Sequence, residues 1–217
     1  MSNITGTAGP DSNLNGTSED DQIYGLGGDD TISGNSGNDL VLGNMDNDVL
    51  FGNAGNDSLY GGMGNDTLFG GQGQDVLFGD AGNDVVFGDI GDDTLHGGAG
   101  NDTLNGGVGD DVLYGDVGNN TIVGDLGVDT AVLVGTRSSY SAVVASDGSI
   151  VLIGAQGVTT AHGVEFYRFD DVTLSAEGLF QYLQGATGAT GAAGGSGSAG
   201  ATGATGATGV AGSTGAT

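Results

Sequence analysis

The chain has 217 residues and a formal net charge of -26 at pH 7, because 28 acidic side chains stand against only two basic ones, Arg137 and Arg168. This acidity excludes a nucleic-acid partner, since that binding needs Lys and Arg to neutralise phosphate, and it disfavours docking on anionic membranes. The absence of Cys excludes disulfides and thiolate metal sites, and no stretch is apolar for long enough to predict a transmembrane helix.

The N-terminal segment, residues 1–15, has neither the basic nor the apolar region of a Sec-type signal peptide. Residues 6–15 (GTAGPDSNLN) have the pattern of a degenerate repeat unit with one extra residue. We therefore predict that this segment precedes and covers the start of a repeat array, and that Asp11 completes a site at that end.

Residues 16–132 form thirteen consecutive units of nine residues without an insertion or deletion. The first position is always Gly, and the fourth is Gly except at Glu19 and Asp46. The sixth is Asp except at Asn120, and the eighth is always apolar. High charge and few aromatic residues would also fit a disordered chain, but disorder gives no reason to keep phase over the whole array. The period predicts a coil built from stacked units.

Each position in the unit has a physical reason. Glycines allow positive φ and close backbone approach in a turn, whereas the last three residues are rich in β-formers. Alternation along a strand then turns the eighth residue inward, into a thin core, and the seventh and ninth residues outward. The ninth position carries a series of large apolar residues, for which cross-strand stacking and a contact surface are both open interpretations. These residues are Tyr24, Leu42, Phe51, Tyr60, Phe69, Phe78, Phe87 and Tyr114.

The array resembles the RTX (hemolysin-type) family, whose nonapeptide consensus is G-G-x-G-x-D-x-U-x. The resemblance implies an all-β fold, a parallel β-roll or right-handed β-solenoid with 18 residues per turn, in which units n and n+2 are neighbours. It also implies Ca²⁺ ions held between neighbouring turns by loop carbonyls and sixth-position carboxylates. The matching residues are Asp21, Asp30, Asp39, Asp48, Asp57, Asp66, Asp75, Asp84, Asp93, Asp102, Asp111 and Asp129.

Thirteen units make eleven n/n+2 pairs, so about eleven Ca²⁺ sites are expected, with weaker sites where Glu19, Asp46 or Asn120 departs from the consensus. An all-oxygen ligand set suits Ca²⁺ better than Zn²⁺ or Mg²⁺. Without a cation, carboxylates of neighbouring turns would face each other across strand spacings of about 5 Å. We therefore predict that folding is coupled to Ca²⁺ binding.

Residues 133–184 lose the nine-residue phase and show longer alternating runs, with Asp147 and Gly148 between two of them as a predicted hairpin turn. The segment resembles the β-rich cap that follows RTX arrays, and an open solenoid end needs such a cap because its strand edges are unpaired. Arg137 and Arg168 are predicted to make structural rather than catalytic contacts, and residues 177–184 to form a short helix.

Residues 185–217 consist of eleven Gly-X-Y triplets, mostly Gly-Ala-Thr. Glycine at every third position is what a collagen-like bundle of polyproline-II chains requires, so this tail predicts a stalk that joins copies, with a trimer as one arrangement. The alternative is a flexible Gly-rich linker, because the tail contains no Pro.

The sequence contains neither H-E-x-x-H nor G-x-S-x-G, and its two histidines, His96 and His162, are expected to be surface residues, so we predict that the chain is not an enzyme. The favoured function is a secreted calcium-binding structural protein that assembles with other copies into an extracellular fibre, matrix or surface layer. One alternative is an adhesin that presents its aromatic flank to a ligand, and another is the accessory part of a larger secreted enzyme or toxin. The RTX resemblance implies an extracellular or cell-surface location reached by type I export without an N-terminal signal peptide.

Overall fold

A computed structural model describes residues 2–188 of the protein, with their side chains as far as residue 182. The chain divides into two compact units, Met1–Thr173 and Leu174–Thr217. Residues 189–217, which hold most of the predicted Gly-X-Y tail, lie outside the described residues. The predictions of a collagen-like stalk and of a flexible linker therefore both concern a part of the chain that the structure does not describe.

The elements follow one another in a regular order along the chain. They are β1 (Asn3–Thr5), β2 (Leu14–Asn15), β3 (Gln22–Tyr24), β4 (Thr31–Ser36), β5 (Leu40–Met45), β6 (Val49–Ala54), β7 (Ser58–Met63), β8 (Thr67–Gln72), β9 (Val76–Ala81), β10 (Val85–Ile90), β11 (Thr94–His96), β12 (Thr103–Val108), β13 (Val112–Tyr114), β14 (Asn120–Leu126), β15 (Thr130–Val132), a 3-10 helix (Arg137–Ser139), β16 (Ser141–Val144), β17 (Ile150–Gly154), β18 (Gly157–His162), β19 (Phe166–Arg168), β20 (Thr173–Ser175) and α1 (Ala176–Gly188).

The strands alternate between two sheets, because consecutive units lie on opposite sides of the coil. One sheet contains β3, β5, β7, β9, β11, β13 and β15 side by side, and the other contains β4, β6, β8, β10, β12 and β14. Neighbouring strands are parallel and their paired residues are 18 apart, as in the pair Leu50 and Leu68. The predicted β-solenoid, with units n and n+2 as neighbours and about seven turns, is confirmed.

The core lies between the two sheets, and each sheet contributes one file of inward side chains. All thirteen eighth-position residues, from Ile23 to Ala131, have no exposed surface. Burying an aliphatic side chain of this size contributes about 1.5–3 kcal/mol, and each unit contributes only one such residue. No unit could bury its apolar residue alone, so the core exists only because the turns stack.

The outward ninth-position rings form two ladders. Phe69 stacks between Phe51 and Phe87, with 5.0 Å between ring centroids on each side. On the other sheet, Tyr60 stacks on Phe78 at 4.8 Å. His96 continues that ladder, with its centroid 4.6 Å from Phe78 and 4.1 Å from Tyr114. The cross-strand stacking interpretation of these residues is confirmed.

The segment after Val132 extends both sheets and then ends them. Strand β18 pairs in parallel with β14, and β19 pairs in parallel with β15. Strands β16 and β17 are antiparallel, which confirms the predicted hairpin at Asp147 and Gly148. Arg168 donates to the Tyr114 hydroxyl of the repeat array at 2.7 Å, and Arg137 donates to the Tyr140 carbonyl of its own segment at 2.8 Å.

The helix α1 belongs to the second compact unit. It contains the predicted helix at residues 177–184 and continues through Gly188. The first four residues of the predicted Gly-X-Y tail are therefore helical.

Candidate metal centre

The sixth-position side chains form two columns, one along each edge of the solenoid where the loops stack. The first column contains Asp21, Asp39, Asp57, Asp75, Asp93, Asp111 and Asp129, and the second contains Asp30, Asp48, Asp66, Asp84, Asp102 and Asn120. At most 3% of the surface of each residue is exposed. Within a column, one carboxylate oxygen accepts the backbone N–H of the sixth residue one turn earlier, as Asp57 Oδ1 does from Asp39 at 2.7 Å.

The other carboxylate oxygen, Oδ2, is buried without a hydrogen-bond donor in eleven of these residues, within the part of the chain that the structure describes. They are Asp30, Asp39, Asp48, Asp57, Asp66, Asp75, Asp84, Asp93, Asp102, Asp111 and Asp129. A buried polar group without a partner costs about 1–3 kcal/mol, and more if it is charged. A set of eleven such oxygens at equivalent positions therefore indicates a ligand that is common to all of them.

Asn120 identifies what this second oxygen faces. Its Nδ2 occupies the corresponding place in the sixth-position side chain and donates to the carbonyl of Gly115, the first residue of its own unit. In an Asp unit the same geometry sets a carboxylate oxygen opposite a carbonyl oxygen, and two such acceptors attract each other only when a cation or a proton lies between them. The place is also closely confined, because a Cβ added to Gly25 would contact Asp30 Oδ2 and lie 2.7 Å from the Gly43 carbonyl of the next turn.

The charged form of these carboxylates is disfavoured in the protein alone. Burial, reinforced by neighbouring carboxylates, raises the pKa of Asp48 and of Asp57 to about 7. The same causes raise the pKa of Asp93 to about 8. A cation between the turns would reverse this effect, because an opposite charge favours the ionised form.

The donor set fits a hard cation. Carboxylate and carbonyl oxygens are the ligands that Ca²⁺ prefers, and its coordination geometry is flexible. Among the described residues no group of three or more His, Cys, Asp or Glu side chains converges as a metal cluster. Each site would therefore combine sixth-position carboxylates with backbone carbonyls such as those of Gly25 and Gly43, which is the combination that the sequence predicts.

Asp21 and Asp11, at the N-terminal end, differ from the eleven residues whose Oδ2 atom is buried without a donor. The Oδ2 atom of Asp21 accepts the backbone N–H of Thr17 at 2.6 Å and its hydroxyl at 2.7 Å. The hydroxyl bond is the largest cause that lowers the Asp21 pKa to about 2. Asp11 Oδ2 accepts the same two donors from Thr7, at 2.6 and 3.2 Å. Of the predicted ligands, Asp21 alone has a fully partnered carboxylate.

The C-terminal end of the first column is completed by a residue that the sequence analysis did not assign. Glu165 Oε2 accepts the backbone N–H of Asp129 at 2.9 Å, and so takes the place of the carboxylate that would follow one turn later. Gly163 supplies the carbonyl that lies beside Gly124 in this last loop. No local pattern marks Glu165, because it lies 36 residues from its partner in the chain.

Comparison with known families agrees with this geometry. The family described as RTX calcium-binding nonapeptide repeat (4 copies) matches residues 5–41, 42–77, 63–95, 72–104 and 96–131, which together cover more than half of the chain. The protein belongs to this RTX family. No match was found among curated proteins. In the described residues no helix is long and apolar enough to cross a membrane.

Two departures from the RTX consensus at the fourth position are accommodated differently. Asp46 adopts a φ of 72°, in the region that Gly occupies in neighbouring units. Its carboxylate accepts the Gly28 N–H one turn earlier at 3.0 Å, so the loop keeps its stacking. Glu19 is in the same unit as Thr17, and the Thr17 hydroxyl accepts the Glu19 N–H at 3.2 Å.

Proposed function

We propose that this RTX protein is a calcium-binding structural protein whose turns are held together by Ca²⁺ ions bound along both edges of the solenoid. The observation that carries the proposal is the set of eleven buried Oδ2 atoms, each placed where Asn120 donates a hydrogen bond to a glycine carbonyl. Eleven such positions support about eleven sites. Asp21 is proposed to contribute to the fold without a cation.

Calcium dependence follows from the balance of buried charge. Each unit gains stability by burying one apolar side chain. It loses stability by burying a carboxylate, because one carboxylate oxygen gives up its water without gaining a hydrogen bond. Cation binding would remove that penalty only in the folded state and would therefore stabilise it. We propose that the protein is exported by a type I system and folds where Ca²⁺ is abundant.

Circular dichroism with a chelator tests the calcium proposal. Adding EGTA at pH 7.5 should remove most of the β-sheet signal, and excess Ca²⁺ should restore it, whereas equal Mg²⁺ should not. Native mass spectrometry of the 21.0 kDa chain counts the bound ions directly. A β-sheet signal that is the same with and without EGTA would contradict the proposal.

We also propose that the protein has a non-enzymatic role in which copies associate into an extracellular assembly. This is supported by a column of apolar side chains at the third position of units whose sixth residues belong to the first carboxylate column. Ile90, Val108 and Leu126 pair along β10, β12 and β14, and their exposed fractions are 54%, 47% and 68%. Contiguous exposed apolar surface of this kind is typical of contact sites.

Light scattering and electron microscopy in millimolar Ca²⁺ test the assembly. The wild-type protein should form multimers or filaments, and Val108→Asp should weaken them by placing a charge inside the column. Thr103→Asp is the matched control, because Thr103 lies on the same strand and is exposed outside the column. Particles that stay monomeric at every Ca²⁺ concentration would contradict self-assembly and would favour the alternative of an adhesin that presents its aromatic flank to a ligand.

A further inference from the structure

We propose that the peptide bond between the first and second residues of each unit decides whether the unit binds Ca²⁺, and that the second side chain sets its orientation. This inference rests on the proposed calcium function and adds a rule for which units take an ion. Under this rule the Thr7 and Thr17 units bind no Ca²⁺, and the eleven later units that carry a sixth-position Asp are calcium sites.

The first observation is a difference in backbone conformation at the second position. In the twelve units that begin at Gly25 or later, the second residue has positive φ, between 57° and 109°. These residues are Leu26, Asn35, Asn44, Asn53, Gly62, Gly71, Asp80, Asp89, Gly98, Gly107, Asp116 and Asp125. Thr7 and Thr17 are not among the described residues with positive φ.

The second observation is the group that each orientation presents to the carboxylate. In the Thr17 unit the N–H of the Gly16–Thr17 peptide points at Asp21 Oδ2, and the threonine hydroxyl joins it. The Thr7 unit repeats both bonds to Asp11. Two donors therefore satisfy the oxygen that is left without a donor in the eleven other Asp units.

The third observation comes from the Gly115–Asp116 peptide, whose second residue has a φ of 57°. Here the carbonyl of the same peptide unit faces the sixth side chain, because it accepts from Asn120 Nδ2. The C=O and N–H of one planar peptide point in opposite directions. The two kinds of unit therefore differ by rotation of this peptide, which exchanges an inward donor for an inward acceptor.

The exchange has a direct chemical consequence. With the carbonyl inward, a carboxylate oxygen and a carbonyl oxygen face one another, and a hard cation can bind to both. With the N–H inward, the carboxylate already accepts a hydrogen bond. The positive end of the N–H dipole then lies where a cation would bind. The first arrangement suits Ca²⁺ and the second replaces it.

The second side chain selects the arrangement by its conformational range. Positive φ is accessible to Gly and, at small cost, to Asn and Asp, but it is a strained region for a β-branched residue. Thr7 and Thr17 are the only β-branched residues at the second position. Leu26 shows that an unbranched Cβ is compatible with the carbonyl-inward form, at a φ of 84°.

Reciprocal substitutions test the rule by counting ions with native mass spectrometry on the full chain. Thr17→Asn installs the residue of neighbouring units and should add one Ca²⁺, whereas Thr17→Val keeps the β-branch and should leave the count unchanged. In the middle of the array, Asn53→Thr should remove one Ca²⁺, and Asn53→Gly should not. Circular dichroism in Ca²⁺ confirms that each variant is folded.

An independent readout is amide hydrogen exchange at residue 17. The Thr17 amide donates to a buried carboxylate, so it should exchange slowly while the N-terminal turns stay folded, and faster in Thr17→Asn. Wild-type ion counts in both Thr17→Asn and Asn53→Thr would overturn the rule. A wild-type chain that binds no Ca²⁺ would overturn the proposed function instead. Should Asn53→Thr not fold, Thr17→Asn decides by itself, since its expected result is a gain.

Discussion

The central turns and the segment after Val132 bury polar groups in opposite ways. In the turns, carboxylates such as Asp66 and Asp75 hold one oxygen without any donor from the described residues. In the later segment, buried Arg137 donates to the Tyr140 carbonyl, and the Asp171 carboxylate accepts the Arg137 backbone N–H at 2.8 Å. The first region is therefore expected to need a partner from outside the chain, whereas in the second these hydrogen bonds are made within the segment itself.

A repeat protein has to stack its units in register and also has to neutralise the charge that it buries. Identical units can stack in register only if each contributes the same groups, and a stack of identical carboxylates cannot neutralise itself. The end of the stack is free of that limit, because its residues are not repeated. Accordingly, the only two basic side chains, Arg137 and Arg168, lie in the segment after the repeats, and we expect the repeated part to use an ion instead.

The largest expected effect is regional unfolding on removal of calcium. Hydrogen exchange measured with EGTA at pH 7.5 should show loss of protection throughout β4–β13, because the carboxylate penalty is then uncompensated. The amides of the β16–β17 hairpin should lose less protection. Equal loss in both regions would contradict the distinction between them, and protection restored by Ca²⁺ is the control for irreversible damage.

The second effect is that acid should partly replace calcium. Burial raises the pKa of Asp84 to about 7 and that of Asp111 to about 6 in the folded chain, against an ordinary value of 3.8. The folded calcium-free state therefore binds more protons than the unfolded state between about pH 4 and 8. Its free energy of unfolding should fall as pH rises through that window.

Urea denaturation in EGTA at a series of pH values from 4.5 to 8 measures this dependence. Asp21 provides an internal contrast, because its lowered pKa has the opposite sign and its contribution is lost only as pH falls toward about 2. Stability of the calcium-free protein that rises with pH across the window would contradict the assignment of buried, unpartnered carboxylates.

The third effect compares core truncations in the two regions. Leu68 and Leu152 are both fully buried, one inside a turn and one in β17. In Ca²⁺, each Leu→Ala substitution should lower the free energy of unfolding by about 2–5 kcal/mol. In EGTA at neutral pH, Leu152→Ala should still destabilise its region, whereas Leu68→Ala should have little further effect because its turns are already unfolded.

The smallest effect is expected from exchanging Asp and Asn at the sixth position. Asp84→Asn should remove one Ca²⁺ and, by donating to a glycine carbonyl as Asn120 does, stabilise the calcium-free protein by about 1–3 kcal/mol. Asn120→Asp should do the reverse on both counts. Calorimetry and native mass spectrometry check the pair, and two variants that change stability in the same direction would contradict the equivalence of these positions.

Most of the array was predictable because its period constrains it. The inward eighth residue follows from strand alternation, whereas the pairing of units n and n+2 and the columns of sixth-position Asp were implied by the RTX resemblance. The distinct state of Asp21 was not predicted, although Thr17, whose N–H and hydroxyl produce it, stands out in the sequence as a β-branched residue at the second position. The role of Glu165 and the contact of Arg168 with Tyr114 were beyond local reasoning, since their partners lie 36 and 54 residues away.

The four column ends have a consequence for growth of an assembly. At the N-terminus, Thr7 and Thr17 complete the carboxylates of Asp11 and Asp21, and at the other end Asn120 and Glu165 do the equivalent. Among the described residues, no column therefore finishes on a half-site that a second chain could complete. We therefore expect that calcium does not join solenoids end to end, and that any filament grows through lateral contacts.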